Sequence, residues 1–409
     1  MSTLTQAQPG TEVPGRLLTV PLAFTFLAEF GTLTSFFLLF SVLPMLASAA
    51  GVSSSGAGLI TGALLAGTVA AEAVAATAIR RFGYRMVVGA GAVLLGLPAL
   101  ALLTRQPQAV MMGVSVVRGF GFGLGGVATG ALTATLLPPE RRGEGLGLLG
   151  LVSGVPAIVA LPAGVWLAGH HLAVVAAAMA AVTGLMPLVA VRWLPGGREA
   201  RSTADEAHAT AGEAGRTVRV PRMRGLRHSV QLAGPALRLP VIFVVATIAA
   251  GVVDSFLPLA KGIPSNLASA ALLVSAVTAT LTRWRAGRYG DRHGHTRLLI
   301  PALAVTALGM AAMMALGSPV AVFAGMVLFG AGFGVLESAT FALLIEQLPE
   351  ARASALWNLA YDAGYGAGPA AFGLICLHTG YPVAFALTGA LILVAIPVAM
   401  RERKTVTLR

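Results

Sequence analysis

Charge, aromatic rings and cysteine are all scarce in this sequence. Asp, Glu, Lys and Arg make up 11% of its 409 residues, and Phe, Trp and Tyr make up 6%. A soluble chain needs about a quarter of its residues charged, so an ordinary soluble protein is excluded. The one cysteine, Cys376, lies in an apolar block, which rules out an intramolecular disulfide and a cysteine metal cluster. No GxxxxGK[ST] phosphate loop and no HExxH or CxxC pattern occurs. ATP hydrolysis, a bound metal, a cofactor and catalytic residues are therefore not expected, and the chain reads as a non-enzyme. The formal charge is +12, yet the basic residues sit in short loops between apolar blocks. They do not line a helix face beside stacking aromatics, which argues against a nucleic-acid partner. Met1–Gly15 has no basic n-region before a short apolar core, so no cleaved signal peptide is expected.

What the chain has in abundance is apolar length: 56% hydrophobic residues and a mean hydropathy of +0.82. A spanning helix needs about 20 apolar residues. Blocks of that size run 17–46, 57–79, 86–103, 109–136, 145–168 and 172–191, then 239–259, 267–284, 298–316, 320–344, 355–377 and 382–400. Between the two sets lies the basic, polar stretch 195–238. The halves repeat each other. Arg80-Arg81-Phe82-Gly83 matches Asp291-Arg292-His293-Gly294 at an offset of 294 − 83 = 211. Gly119-Phe120-Gly121-Phe122-Gly123 matches Gly330-Ala331-Gly332-Phe333-Gly334 at the same 211, and Pro139-Glu140-Arg141-Arg142 matches Pro349-Glu350-Ala351-Arg352 at 210. A duplicated unit joined by a linker follows. The expected organisation is a tail (1–16), a six-helix bundle (17–194), a linker (195–238), a second six-helix bundle (239–400) and a tail (401–409). The fold class is an all-α membrane protein of twelve helices.

Orientation follows from Lys and Arg in the loops. One side collects Arg80, Arg81, Arg85, Arg141, Arg142, the linker, Arg283, Arg285, Arg288, Arg292, Arg297, Arg352 and Arg401, and the other keeps Arg105 and Lys261. Both termini are expected in the cytoplasm, in the inner membrane of a cell. Ionisable groups inside the bilayer are costly and mark ion or substrate paths by default. Glu29, Glu72, Arg118, Asp254, Glu337 and Asp362 fall within spanning blocks. Glu337, Asp254 and Glu29 are the candidate proton-coupling acids, because burial favours the uncharged form of a carboxyl and lets it carry a proton. Two readings stay open for Glu29 and Arg118, a site wall or a mutual ion pair. Asp254 is read as coupling or as wetted from outside, and Glu72 as a gate. Asn358, Tyr361, Asp362 and Tyr365 form a polar stripe at i, i+3, i+4 and i+7. With Phe36, Phe122 and Arg118 they are the candidate substrate contacts, since aromatic faces beside acids suit a large amphipathic cation. His170-His171 and His293 and His295 are read as surface residues.

Gly287-x-x-x-Asp291-Arg292-x-Gly294-x-x-Arg297 resembles the loop motif of the major facilitator superfamily, whose members have two six-helix halves. The resemblance implies a latch in which the Asp and the Arg side chains tie two helices in one access state. The first half departs from it, with Arg80 in place of the Asp and Ala76 in place of the leading Gly. Arg118 followed by Gly119, Gly121 and Gly123 resembles the membrane motif of the drug:proton antiporter branch. Gly150-x-x-x-Gly154-x-Pro156, with Pro162 and Gly164 beyond, resembles a degenerate antiporter motif whose glycines allow close helix approach. The resemblance further implies that the first, fourth, seventh and tenth helices line a central cavity, one each for Glu29, Arg118, Asp254 and Glu337. The expected function is proton-coupled efflux of small amphipathic compounds such as antibiotics, natural products or siderophores, with a proton gradient as the energy source. A metabolite exporter or an uptake symporter is the alternative, and a lipid flippase or a sensor is the reading of another class. The expected partners are the small-molecule substrate, protons and the bilayer, with the protein a monomer.

Overall fold

The computed structural model describes residues 18–137, 142–195 and 237–407. The linker and the Pro139–Arg141 loop lie outside the described residues, save the linker's end residues. Among those described, all regular structure is helical. Ten helical runs are long and apolar enough to cross a membrane. One of them, Ser54–Leu103, is 50 residues long and breaks at Gly83. At 1.5 Å per residue that is about twice one crossing, so it counts as two. Glu350–Thr379 is 30 residues long, is less apolar because it carries Asn358, Tyr361, Asp362 and Tyr365, and completes twelve.

The first crossing is Val20–Ala49, broken at Ser41, and the second and third are 54–82 and 84–103. The fourth, fifth and sixth are Gln108–Leu136, Arg142–Gly169 and Ala173–Val191. The seventh to ninth are Arg238–Leu259, Ser265–His293 and Thr296–Ala315. The tenth and eleventh are Pro319–Gln347 and Glu350–Thr379, and the twelfth starts at Tyr381 and stays helical to Thr407, beyond the boundary expected at 400. Side-chain caps start several of them: Thr19 accepts from the Leu22 N–H, Ser53 from Gly56 and Ser318 from Ala321, each satisfying one orphan donor of a first turn.

In lipid no hydrophobic force drives one helix onto another, so close packing must hold the bundle together. The duplicated glycines supply it. A Cβ on Gly119 would strike the carbonyl of Leu64, and one on Gly330 would strike that of Ser275; 275 − 64 is again 211. Gly123 sits in the same way on Thr68 and Gly334 on Ala279, with 279 − 68 = 211. Gly121 approaches the Gly91 carbonyl and Gly332 that of Ala302, also 211 apart. The second and fourth crossings thus meet as the eighth and tenth do. Gly83 (φ 79°) and Gly294 (φ 89°), equivalent in the repeat, both turn in the left-handed region that favours glycine.

The halves meet at the end opposite the basic loops. There the Ser54 hydroxyl donates to the Gly373 carbonyl (3.0 Å), Ser269 to Pro162 (2.7 Å) and Ser41 to Asp254 (2.5 Å). Gly58 lies against the Pro369 carbonyl, and Phe40 of the first half stacks on Tyr365 of the second (4.6 Å). Towards the basic end the facing helices part. Gly150 and Gly154 have no atom within 4 Å of where a Cβ would stand, and Asn358 and Leu359 are exposed. This corrects the expectation that Gly154 allows close packing. In this state the fifth crossing makes its tight approach at Gly164, against the Leu38 carbonyl.

Candidate functional site

Each intramembrane acid has its own partner. Glu29 on the first crossing accepts from the Thr129 hydroxyl of the fourth. Asp254 on the seventh accepts from the Tyr365 hydroxyl at 2.5 Å. The closed end stands over Asp254, so the reading of an acid wetted from outside is corrected. Glu72 and Asp362 come from opposite halves and face each other. Glu337 on the tenth crossing, 11% exposed in its side chain, faces Arg283 Nη1 of the eighth at 3.7 Å.

Aromatic rings connect these groups. Phe36 stacks on Phe122 (3.9 Å) and touches Phe40, which stacks on Tyr365. Tyr365 packs on Tyr361, Tyr361 on Trp357, and Trp357 stacks on Phe243 at 4.6 Å. Tyr361 stands within electrostatic range of Glu337, Asp254, Asp362 and Arg283. The expected stripe is thus realised on one face of the eleventh crossing. Asn358 is exposed near the basic end, Tyr361 and Asp362 are half-buried, and Tyr365 is buried.

Arg118 does something else. It is 1% exposed, and it donates to the Leu95 carbonyl (2.6 Å) and the Ser35 carbonyl (2.9 Å). Leu95 lies just before the helix tightens into a 3₁₀ turn at Leu97. The guanidinium ties the first, third and fourth crossings inside one bundle. Buried on these two carbonyls, Arg118 forms neither the ion pair with Glu29 nor an exposed part of a cavity wall.

The loop motif also differs from expectation. Gly287 packs beside Ser338, and Gly294 makes the turn. Arg292 and Arg297 point into solvent. Asp291 faces His295 Nε2 at 3.7 Å, and Glu346 faces its Nδ1 at 3.5 Å. His295 is 7% exposed, correcting its surface reading, while His293 stays exposed. A cleft of about 360 Å³ opens between these side chains, at the basic end and away from the acids above. Pro156 lies within the fifth crossing, two residues beyond the open Gly154.

Arg283, Trp357, Phe243 and Thr129 are site residues that the sequence reading passed over. For Arg283 a signal existed: 72 + 211 = 283, so it occupies in the second half the position that Glu72 holds in the first.

Two segments of the chain, residues 25–350 and 241–407, match the sequence model described as Major Facilitator Superfamily. An uncharacterized MFS-type transporter of Mycobacterium tuberculosis (strain ATCC 25618 / H37Rv) is 25% identical over 372 residues, which are 87% of this chain and 79% of that protein. Among solved structures, a POT family transporter in complex with 5-aminolevulinic acid superposes with a TM-score of 0.73 at 12% identity, over 94% of this chain and 96% of that one. The xylose transporter XylE from E. coli, in a partially occluded inward open conformation, gives 0.70 at 14% identity, over 94% and 97%. The nucleoside transporter NupG gives 0.71 at 13% identity, over 95% and 100%. At such identities the structures speak for the fold, while the sequence match reaches from residue 25 to residue 407. The chain belongs to the major facilitator superfamily.

Proposed function

We propose that this transporter is a proton-coupled exporter of small amphipathic cations and zwitterions, a class that includes antibiotics, natural products and siderophores. It works by alternating access as a monomer, without covalent chemistry on its substrate, and a proton gradient supplies the energy. The basic loops and both termini face the cytoplasm of the inner membrane, so the state described here opens inward.

The observation that carries the reading is an aromatic ladder that links the halves, Phe36–Phe40–Tyr365–Tyr361–Trp357, with the Asp254 carboxylate bonded to the Tyr365 hydroxyl within it. Aromatic faces attract organic cations, and a desolvated carboxyl holds either a proton or a cation. Exchange follows from that competition. A proton enters from outside, is released inward, and leaves a carboxylate for the substrate. The proposed coupling acids are Glu337 and Asp254, with Glu29 on the opposite wall.

The test is drug-triggered proton movement in liposomes with an imposed pH gradient, for wild type and Glu337→Gln. Flux lost in the variant supports antiport coupled at Glu337. Flux unchanged in the variant moves coupling to Asp254 or Glu29, and no flux with any cation refutes the exporter.

A further inference from the structure

We propose that Arg283 is a tethered cation that occupies Glu337 and must be displaced by a cationic substrate, so that it sets the affinity of the site. This rests on the exporter reading above and adds a residue that reading leaves out.

The partners of the acids single out Glu337. Glu29 has a threonine hydroxyl, Asp254 a tyrosine hydroxyl, and Glu72 and Asp362 have each other. Glu337 faces a guanidinium. That guanidinium cannot leave by losing its proton, because arginine stays charged throughout the working pH range; it can leave only by moving. The contact allows this. At 3.7 Å it is an ion pair longer than a hydrogen bond, and the Arg283 side chain is 53% exposed against 11% for Glu337. The fixed carboxylate and the loose cation are therefore unequal partners. One carboxylate is balanced by one charge at a time, whether Arg283, a proton or an ammonium or phosphonium group of a ligand.

The surroundings fit the same ligand class. Gly334, one turn before Glu337, lies on the Ala279 carbonyl and the Thr282 hydroxyl. This tight approach keeps the eighth and tenth crossings together and holds Arg283 in reach. Tyr361 shares the electrostatic field of both charges, and Trp357 and Phe243 stack beside it. A lipophilic aromatic cation finds here an acid, ring faces and a resident cation that competes with it.

The experiment is isothermal titration of tetraphenylphosphonium into the purified full-length protein at fixed pH. Removing a partly exposed ion-pair partner is worth up to about 1 kcal/mol, so Arg283→Gln should bind about fivefold tighter than wild type. Arg283→Lys should stay near wild type, because it keeps the competing charge. Arg285→Gln, which removes an exposed charge half a turn away, should also match wild type and so separates direct competition from the general field. Arg283→Met carries the same expectation as Gln should the latter not fold. Equal affinity in wild type and Arg283→Gln overturns the role of Arg283 and leaves proton-driven export, read by the liposome flux, standing. Tightening by Arg285→Gln as well also overturns it. Absence of saturable binding in every variant overturns both this role and the cationic substrate class.

Discussion

Replacing Gly58 by alanine puts a methyl group where the second crossing meets the eleventh. The new Cβ would strike the Pro369 carbonyl oxygen, with the carbonyl carbon at 2.9 Å and Phe256 Cζ at 3.3 Å. A backbone carbonyl cannot rotate away as a side chain does, so the two helices must separate. Overpacking of this kind costs about 1–3 kcal/mol, and all of it falls on the state in which these helices touch. The equilibrium between the two access states should then shift about 5- to 150-fold towards the one open at this end. Two other glycines grade the argument. At Gly62 the Cβ would lie 3.2 Å from the Ala370 Cβ, a smaller conflict, and at Gly113 nothing lies within 4 Å. Spin labels at Ala50→Cys and His378→Cys, exposed on opposite halves at the closed end, would read the separation in a Cys376→Ala background. The expected order of widening is Gly58→Ala, then Gly62→Ala, with Gly113→Ala unchanged. A Gly58→Ala distance distribution equal to wild type would refute the reasoning, as would equal widening by all three.

Two further predictions use the same chain. Glu72 and Asp362 face each other from opposite halves, so ionising both should let like charges push the halves apart; the labelled pair should report widening as pH rises from 5 to 9. Glu72→Gln leaves one charge at most and supplies an amide donor to Asp362, so its distances should not respond to pH, and an unchanged pH response would sink the idea. Arg118→Lys cannot reach the Leu95 and Ser35 carbonyls together, so it should lose about 1–3 kcal/mol of stability in thermal melts. The KM of its residual transport should stay unchanged; a raised KM with unchanged melting would return the side chain to the substrate path.

How much of this was legible in the sequence depends on what each signal encodes. The 211-residue offset is a statement about packing, and it holds down to single carbonyls: Gly119 on Leu64 and Gly330 on Ser275. Glycine contacts need only backbone, so duplication preserves them while side chains diverge. Intramembrane charges were also legible as charges, but their partners were not. Arg118 binds carbonyls, and since every residue carries one, no sequence pattern marks which two will be used. Hydropathy misplaced Arg283 for a different reason. It ends the eighth block at Trp284, yet a helix closes its own hydrogen bonds and runs on to His293 wherever water replaces lipid around it. Arg283 is the last residue but one of that block and was thereby counted with the basic end, although the repeat pairs it with Glu72.

That pairing carries the argument one step further. Equivalent positions on equivalent helices hold an acid in one half and a base in the other. The acid at 72 reaches across to Asp362, while the base at 283 stays within its own half on Glu337. Duplication placed the two positions, and divergence gave one a carboxyl that faces the opposite half and the other a guanidinium that faces an acid of its own half. The inequality of the halves, which the offset alone conceals, is where the proposed coupling has room to act.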